Sequence, residues 1–336
     1  MNDKKIKLGQ FFTKESLWLK PQVKNFIINC GCTIAYDPFA GAGDLLNVAK
    51  ATLNFDNVFG LDIDETLQWE YNDSLLSIPS IKNAIIITNP PYIAKQSASR
   101  KKIDLSKYFS TSTYDDVYLI ALDKMLASQQ YVVAIVPESF INSSYRQKDK
   151  LFSITVLEEN PFEDTENPVC VVCFDNTKKP FDEIKVYKNQ TLVSSFLDIQ
   201  KIRIEPKHNI KITFNTLKGW LGLRAIDSTD DLTFICFDYK DNFKYDWGKN
   251  IKASSRHFSL IDISVPLGKR KEFLDACNSI LKNLRIRSAD ILLTPFKGNT
   301  HKGMRRRRLD FKLARAIMET AFSEVCGGLN EQQSLF

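Results

Sequence analysis

The stretch CTIAYDPFAGAGDLLNVAKATLN, residues 32–54, joins a short apolar run to a helical pattern through a glycine-containing turn. CTIAY predicts a buried strand, and LLNVAKATLN carries apolar residues at helical spacing. The glycines of DPFAGAGD allow a tight turn and a close approach of the backbone to a ligand. A strand that leads through such a turn into a helix predicts the start of an α/β domain.

The same alternation continues through the first half of the chain. Further strands are predicted at NVFGLDID (57–64), AIIIT (84–88), YVVAIV (131–136), ITVLEE (154–159) and PVCVVCF (168–174). A helical stretch, VYLIALDKMLAS, precedes YVVAIV. This spacing predicts a Rossmann-like, mainly parallel sheet. The last two strands are too close for a helical crossover, so we expect an antiparallel hairpin at the sheet edge.

The second half differs in composition and charge. NTKKPFDE (176–183) is polar and contains Pro180, which indicates a linker between domains 1–178 and 179–336. Residues 1–180 hold 19 basic and 22 acidic residues, a net charge of −3, whereas residues 181–336 hold 27 and 18, a net charge of +9. Short strands and a C-terminal helical pattern, RRRRLDFKLARAIMETAF (305–322), predict an α+β domain. Its charge suits a polyanionic partner, although ordinary surface charge explains it equally well.

Composition limits the remaining possibilities. No apolar run reaches the roughly 18 residues of a membrane span, so we expect a cytoplasmic protein that binds no membrane. The seven cysteines are scattered, and the three histidines do not pair with them at ligand spacing. We therefore expect reduced thiols and no metal site.

Acidic residues follow two of the predicted strands, where open parallel sheets bind ligands. Asp37 opens the glycine turn, which lacks the G-K-[ST] of a phosphate-binding loop. Asp62 follows about 20 residues later, a spacing typical of a carboxylate that binds ribose hydroxyls. Asp73 could accept a hydrogen bond from an adenine amine. Each acid alone is more often a surface or capping residue, but the three in this order indicate an adenosyl-binding site.

The strand AIIIT ends abruptly in Asn89-Pro-Pro-Tyr92. The Asn89 amide oxygen and the Pro90 carbonyl are acceptors, and the prolines stiffen the loop. An exocyclic amine is a poor nucleophile because its lone pair is delocalised. Two acceptors that hold its N–H groups favour a tetrahedral, more nucleophilic nitrogen, and the Tyr92 ring offers a face for stacking on a planar substrate.

With these motifs, the chain resembles the amino-methyltransferases that use S-adenosylmethionine, most closely the N6-adenine DNA methyltransferases of restriction–modification systems. The group it resembles places the cofactor motif first, the catalytic motif next and the target-recognition domain last. Gly9-Gln-Phe-Phe-Thr13 resembles the N-terminal motif, with Lys14 in place of the usual proline. The resemblance covers residues 7–175 and includes Tyr114–Tyr118 and Val136–Phe140, which are similar to later family motifs.

The resemblance implies S-adenosyl-L-methionine as cofactor and double-stranded DNA as substrate, with the target adenine flipped out of the duplex. The implied catalytic residues are Asn89, Pro90, Tyr92 and Phe162, the last as a second aromatic ring stacked on the base. The implied cofactor-binding residues are Thr13, Asp37, Pro38, Phe39, Ala40, Gly41, Asp62, Ile63, Asp73, Ser74 and Pro91.

Two basic segments are candidate DNA contacts. One follows the catalytic motif and includes Lys101, Lys102 and Lys107; the alternative for it is a solvated loop. The other carries Lys297, Lys302, Arg305, Arg306, Arg307 and Arg308 and is expected to enter a helix. We expect a protein that is monomeric on DNA and functionally paired with a restriction endonuclease.

Other functions fit the same catalytic motif. Asn-Pro-Pro-Tyr also occurs in enzymes that methylate a protein glutamine or an RNA adenine, but the glutamine enzymes carry their substrate domain before the cofactor domain. N4-cytosine DNA methylation is a near neighbour, although that group more often begins its motif with serine. A DNA-binding protein with a decayed methyltransferase domain is a further alternative, yet every cofactor and catalytic position holds a competent residue.

Overall fold

The structure is a computed structural model that describes residues 16–162 and 167–327, which divide into two compact units. Unit 1 ends at Asp198 and unit 2 begins at Ile199. This division lies later than the boundary expected at residue 178, because a further strand pair extends the sheet of unit 1. No helix in the described part of the chain is long and apolar enough to cross a membrane.

Unit 1 is built on a nine-stranded sheet in the order β3-β2-β1-β4-β5-β7-β6-β8-β9. Its strands are β1 (Ile34–Asp37), β2 (Asn57–Asp62), β3 (Glu70–Tyr71), β4 (Ala84–Thr88), β5 (Tyr131–Pro137), β6 (Leu151–Val156), β7 (Val169–Phe174), β8 (Lys185–Lys188) and β9 (Thr191–Ser195). The first five pair in parallel, and β7 pairs antiparallel with both β5 and β6. The predicted α/β fold and antiparallel pair are confirmed, with β8 and β9 continuing the sheet beyond that pair.

The helices of unit 1 cover this sheet. They are α1 (Pro21–Asn29), α2 (Asp44–Leu53), α3 (Lys95–Arg100), α4 (Ser106–Phe109), α5 (Val117–Ser128) and α6 (Phe196–Ile202), the last of which crosses the unit boundary. Alternate residues of β4, Ile85 and Ile87, share a buried core with Trp18, Phe26 of α1 and Leu46 of α2. Because side chains alternate across a strand, the intervening residues face the other side of the sheet. The sheet is therefore buried on both faces, as its uninterrupted apolar strands require.

Unit 2 is an α+β unit. Its larger sheet has the order β10-β13-β11-β12, and a separate hairpin joins β14 and β15. Its elements are β10 (Ile212–Phe214), β11 (Leu221–Arg224), β12 (Cys236–Tyr239), α7 (Trp247–Asn250), β13 (Phe258–Ile263), α8 (Arg270–Ser288), β14 (Thr294–Asn299), β15 (Arg305–Arg308) and α9 (Phe311–Cys326). The four arginines form β15, so the expectation that they enter a helix is wrong. The helix begins only after Asp310, whose side chain accepts a hydrogen bond from the backbone N–H of Leu313 and caps it.

Candidate active site

Three motif-bearing segments meet at one edge of the unit 1 sheet because β2, β1 and β4 are parallel neighbours. Asp37 lies beside Gly60 in the register of β1 and β2, and Tyr36 lies beside Ile86 of β4. The glycine turn, the segment after Asp62 and Asn89-Pro-Pro-Tyr92 therefore leave the sheet side by side. This is the edge where open parallel sheets bind ligands.

A cavity lies at this edge, with about 610 Å³ of empty space that is partly open to solvent. Its walls are Pro38, Phe39, Asp62, Ile63, Asn72, Asp73, Ser74, Leu75, Pro91, Ile93, Leu105, Tyr108 and Val117. The set includes seven of the residues expected to bind the cofactor. Asp37, Ala40 and Gly41 belong to the adjoining turn without lining the cavity, and Thr13 lies outside the described residues.

Asp62 ties the glycine turn to the end of β2. Its carboxylate is 4% exposed and accepts hydrogen bonds from the backbone N–H groups of Gly41, at 2.8 Å, and Asp64, at 2.9 Å. A carboxylate has about four lone-pair positions. Asp62 is therefore fixed in place by the backbone and keeps acceptor capacity toward the cavity that it lines.

Asp37 faces inward. It is 2% exposed and accepts hydrogen bonds from the Thr88 hydroxyl, at 2.5 Å, and from the Phe39 N–H, at 3.0 Å. Burial raises its pKa to about 7, because the two donors offset only part of the lost hydration. Thr88 directly precedes Asn89, so Asp37 links the glycine turn to the catalytic motif.

Trp69 supports the same turn, although nothing in its local sequence marks it as a site residue. Its indole N–H donates to the Gly41 carbonyl at 2.8 Å. A Cβ on Gly43 would lie 2.7 Å from the indole ring, and one on Gly60 would lie 2.4 Å from it. Gly43 also has φ +87°, which disfavours other residues. Both glycines are needed for close packing against Trp69, and Gly43 is also needed for the turn.

The segment Asn72-Asp73-Ser74 forms another wall. The Asn72 side-chain amide donates to the Ser74 hydroxyl at 2.8 Å, and the Asn72 N–H donates to the Asp62 carbonyl at 2.9 Å. The Asp73 carboxylate accepts from Lys107 and Tyr108 of α4. Tyr108 and Leu105 of the cavity wall were also missed, since nothing in their local sequence marks them.

Asn89-Pro-Pro-Tyr92 has a defined internal geometry. The Tyr92 hydroxyl donates to the Asn89 side-chain oxygen and lies 2.8 Å from the Ile135 carbonyl. Burial raises the pKa of Tyr92 well above its usual value, so the hydroxyl stays a neutral donor. The contact fixes the direction of the amide oxygen that was identified as a candidate acceptor.

Phe162 lies next to Tyr92, but its ring is buried and offers no accessible face on which a base could stack. It is 1% exposed, and its ring centroid is 6.3 Å from that of Tyr92 with the planes 63° apart. Tyr118 contacts the Tyr92 ring from another direction at 6.4 Å and 85°. The two rings expected to hold a base are thus together, in an edge-to-face arrangement.

The basic residues separate into two kinds. Lys101, Lys102, Lys297 and Lys302 are exposed, and Arg306 and Arg308 are partly buried. Arg305 and Arg307 are only 5% and 1% exposed, which does not favour their expected role as phosphate contacts. Alternation along β15 explains this split.

A buried carboxylate holds the arginine strand. Asp227 is 3% exposed and accepts two hydrogen bonds from the Arg285 guanidinium, at 2.8 and 2.9 Å. It also accepts from the N–H of Arg307 at 3.1 Å, while its carbonyl accepts from Arg306 Nε at 2.8 Å. Arg285 also donates to Asp290 and so belongs to this internal network.

Residues 11–165, a little under half of the chain, match the family described as Eco57I restriction-modification methylase. No sequence among the curated proteins matches the chain. Solved structures with a similar fold include a type I restriction-modification system methyltransferase subunit from Streptococcus thermophilus and TrmN from Thermus thermophilus. The subunit is 16% identical, with 57% of this chain and 52% of that chain covered and a TM-score of 0.36. TrmN is 17% identical, with 48% of this chain and 49% of that chain covered and a TM-score of 0.30.

The M protein of the type I restriction enzyme EcoKI is 13% identical, with 94% of this chain and 71% of that chain covered and a TM-score of 0.35. The chain spans about half the length of the first two structures. At these identities and scores, the structures do not bear on the substrate of this chain. Over residues 11–165, the chain is similar to the Eco57I restriction-modification methylases.

Proposed function

We propose that this protein is an S-adenosylmethionine-dependent DNA methyltransferase that modifies N6 of an adenine flipped out of the duplex, as the modification enzyme of a restriction–modification system. The observation that carries the proposal is the cavity at the carboxyl edge of the unit 1 sheet. Seven residues expected to bind the cofactor line it, and Pro91 of the catalytic motif is one of them. The methylase match over residues 11–165 supports the same chemistry.

The cavity wall suits an adenosyl group. Asp62 would accept hydrogen bonds from the ribose hydroxyls, and Asp73 from the exocyclic amine of adenine. Ile63 and Pro91 offer apolar surfaces to the planar base. A cavity that combines apolar walls with a few fixed polar groups is the usual form of a small-molecule site. When bound, the cofactor would supply a methyl group activated by a sulfonium.

The catalytic motif would position the target amine. Asn89 and the Pro90 carbonyl would accept its two N–H groups, which increases electron density on the nitrogen as it attacks. The amine must share or replace the Tyr92 hydroxyl at the Asn89 oxygen. Such preorganised hydrogen bonds and close approach account for the catalysis without a protein nucleophile.

Entry of the base requires a rearrangement of the two aromatic rings. A base held between Tyr92 and Phe162 needs their planes close to parallel, and they are 63° apart. We infer that the Tyr92 ring turns as the base enters and gives up its contact with Phe162. Each stacked aromatic contributes about 1–3 kcal/mol, which offsets part of the stacking lost when the base leaves the duplex.

Unit 2 would bind the duplex. The exposed Lys297 and Lys302 belong to the β14–β15 hairpin, in the half of the chain with a net charge of +9. Lys101 and Lys102 are exposed at the end of α3 in unit 1 and would add phosphate contacts there. Phosphate contacts of this kind set affinity and position but carry no sequence information.

The proposal is tested by incubating the wild type and Asn89→Ala with tritiated S-adenosylmethionine and one of three substrates: duplex DNA, RNA, or a release factor as the protein-glutamine substrate. We expect label in duplex DNA, recovered as N6-methyladenine after digestion to nucleosides. Asn89→Ala should lower turnover by about 10²–10³-fold, the loss typical of one preorganised transition-state contact, with cofactor affinity by calorimetry kept within a few-fold. Asn25→Ala, an exposed position on α1, is the matched control. Label confined to RNA or protein would refute the DNA assignment, and N4-methylcytosine would change the target base.

A further inference from the structure

The Asp73 side chain is held by two donors on one of its oxygens. Its Oδ2 accepts hydrogen bonds from Lys107 Nζ, at 2.8 Å, and from the Tyr108 hydroxyl, at 2.9 Å. Its Oδ1 is buried and has no hydrogen-bond partner among the described residues. A carboxylate has about four lone-pair positions, so Asp73 keeps acceptor capacity beyond the two bonds at Oδ2. Asp73 lines the cavity assigned to the cofactor.

The two donors come from α4, in the segment after the catalytic motif. Tyr108 is 4% exposed and is itself part of the cavity wall. Lys107 Nζ lies 4.7 Å from the centre of the Tyr108 ring, so the two side chains support each other. The bond to Asp73 raises the pKa of Lys107, and burial raises that of Tyr108. At neutral pH the first is charged and the second neutral, and both donate.

This arrangement differs from a solvent-exposed ion pair. An exposed lysine and carboxylate sample many geometries, and such a pair contributes little. Here the buried Tyr108 hydroxyl and the lysine converge on the same oxygen of a carboxylate whose side chain is 12% exposed. The two bonds fix the rotation of the carboxylate, which forms part of the cavity wall.

We propose that Lys107 and Tyr108 are positioning residues that orient Asp73 so that its carboxylate accepts a hydrogen bond from the 6-amino group of the cofactor's adenine. This inference rests on the proposed function of the cavity. It also reassigns Lys107, which the sequence analysis grouped with the basic residues that face DNA. The arrangement selects a 6-aminopurine over a 6-oxopurine, since a carbonyl oxygen at this position would face a carboxylate oxygen.

The test is calorimetric binding of S-adenosylhomocysteine and S-inosylhomocysteine, which differ in the 6-substituent. We expect the wild type to bind the adenosyl ligand at least about tenfold more tightly. Tyr108→Phe keeps the ring and removes one donor. It should weaken binding of the adenosyl ligand about threefold to tenfold and that of the inosyl ligand less than about twofold. The ratio of the two affinities, which measures the preference for the adenosyl ligand, should therefore fall. Tyr131→Phe is the control, because Tyr131 begins β5 and so lies at the sheet edge opposite the cavity. It should change the affinity for neither ligand.

Lys107→Met provides a second variant, because 57% of the Lys107 side chain is exposed and its removal leaves the core intact. It should also narrow the preference, and Lys107→Arg should restore much of it. Equal weakening of both ligands in both variants would overturn the positioning role while leaving the cofactor assignment intact. Failure of the wild type to bind either ligand would instead refute the proposed function of the cavity, and this inference with it.

Discussion

Unit 1 and unit 2 each gather charged side chains, but the partners of those side chains differ. At the unit 1 cavity, Asp62 and Asp73 are fixed by neighbouring donors and keep acceptor capacity toward an accessible space. In unit 2, Asp227 is satisfied by Arg285 and by the backbone N–H groups of Ile235 and Arg307. The carboxylates of both units are hydrogen-bonded, but among these three only Asp62 and Asp73 border the cavity that we propose holds the cofactor.

The difference indicates how to distinguish a ligand-binding site from a buried ion-pair network that only stabilises the fold. Burying a charge is costly unless hydrogen bonds and ion pairs compensate it. Where the partners are internal, as around Asp227, the charges fix the packing of β15 against α8. Where the compensation is incomplete, as at Asp73, one carboxylate oxygen has no partner among the described residues.

The largest expected effect is on stability in unit 2. Asp227→Ala should lower the free energy of unfolding by about 3–5 kcal/mol, the usual cost of removing one member of a buried pair. The reason is that the Arg285 guanidinium, with 19% of its side chain exposed, loses one of the two carboxylates that it contacts among the described residues and keeps Asp290. The measurement is the midpoint of denaturant unfolding followed by tryptophan fluorescence.

Asp241→Ala is the matched control, because this acid is exposed and lies in the same unit. Its effect should stay within about 0.5 kcal/mol. If the two variants unfold at the same midpoint, the Asp227 network contributes nothing particular and the arginine strand is held by other contacts.

A pH-dependent effect is expected at Asp37. Its folded pKa is about 7, above the reference value of 3.8, so the folded protein holds a proton that the unfolded chain releases between these values. Stability from this group is complete below about pH 4, declines as pH rises and is lost above about pH 7, at about 1.4 kcal/mol per unit of pKa difference. The nearby carboxylates of Asp62 and Asp44 act in the same direction.

Asp37→Asn replaces the carboxyl by a group that never ionises and can still accept from Thr88 and Phe39. Relative to the wild type, it should become progressively more stable between pH 5 and pH 8 in thermal melts. Curves that stay parallel over that range would show that the Asp37 pKa is not raised.

The same contrast explains what the sequence could predict. Apolar runs and helical spacing located β4 and α5 to the residue, because their signals are local. Asp62 was identified because it ends a predicted strand, whereas most of the other expected cavity residues were implied by the family resemblance. Trp69 and Tyr108 were missed because they reach the site only through contacts spanning 28 and 35 residues. The arginine run was misread as the start of a helix, since charge alone carries no strand or helix period.

The smallest expected effect is on the salt dependence of DNA affinity, and it tests whether the exposed lysines of unit 2 or its total charge bind DNA. Lys297 and Lys302 are exposed on the β14–β15 hairpin, whereas Arg305 and Arg307 of the same hairpin are buried. Replacing both lysines by glutamine should leave the unfolding midpoint unchanged. It should also flatten the dependence of DNA affinity on salt by about one to two units of slope, because each neutralised phosphate contributes about −0.9.

The matched control is Lys249→Gln with Lys282→Gln, which removes the same charge from exposed positions on α7 and α8. Salt titrations of duplex binding for the two double variants and the wild type distinguish a specific contact from general attraction. A hairpin that contacts phosphate gives a flatter slope in the first variant than in the second, with cofactor affinity equal in both. Equal flattening would mean that DNA responds to the net charge of unit 2, and the hairpin would then lose its assignment as a DNA contact.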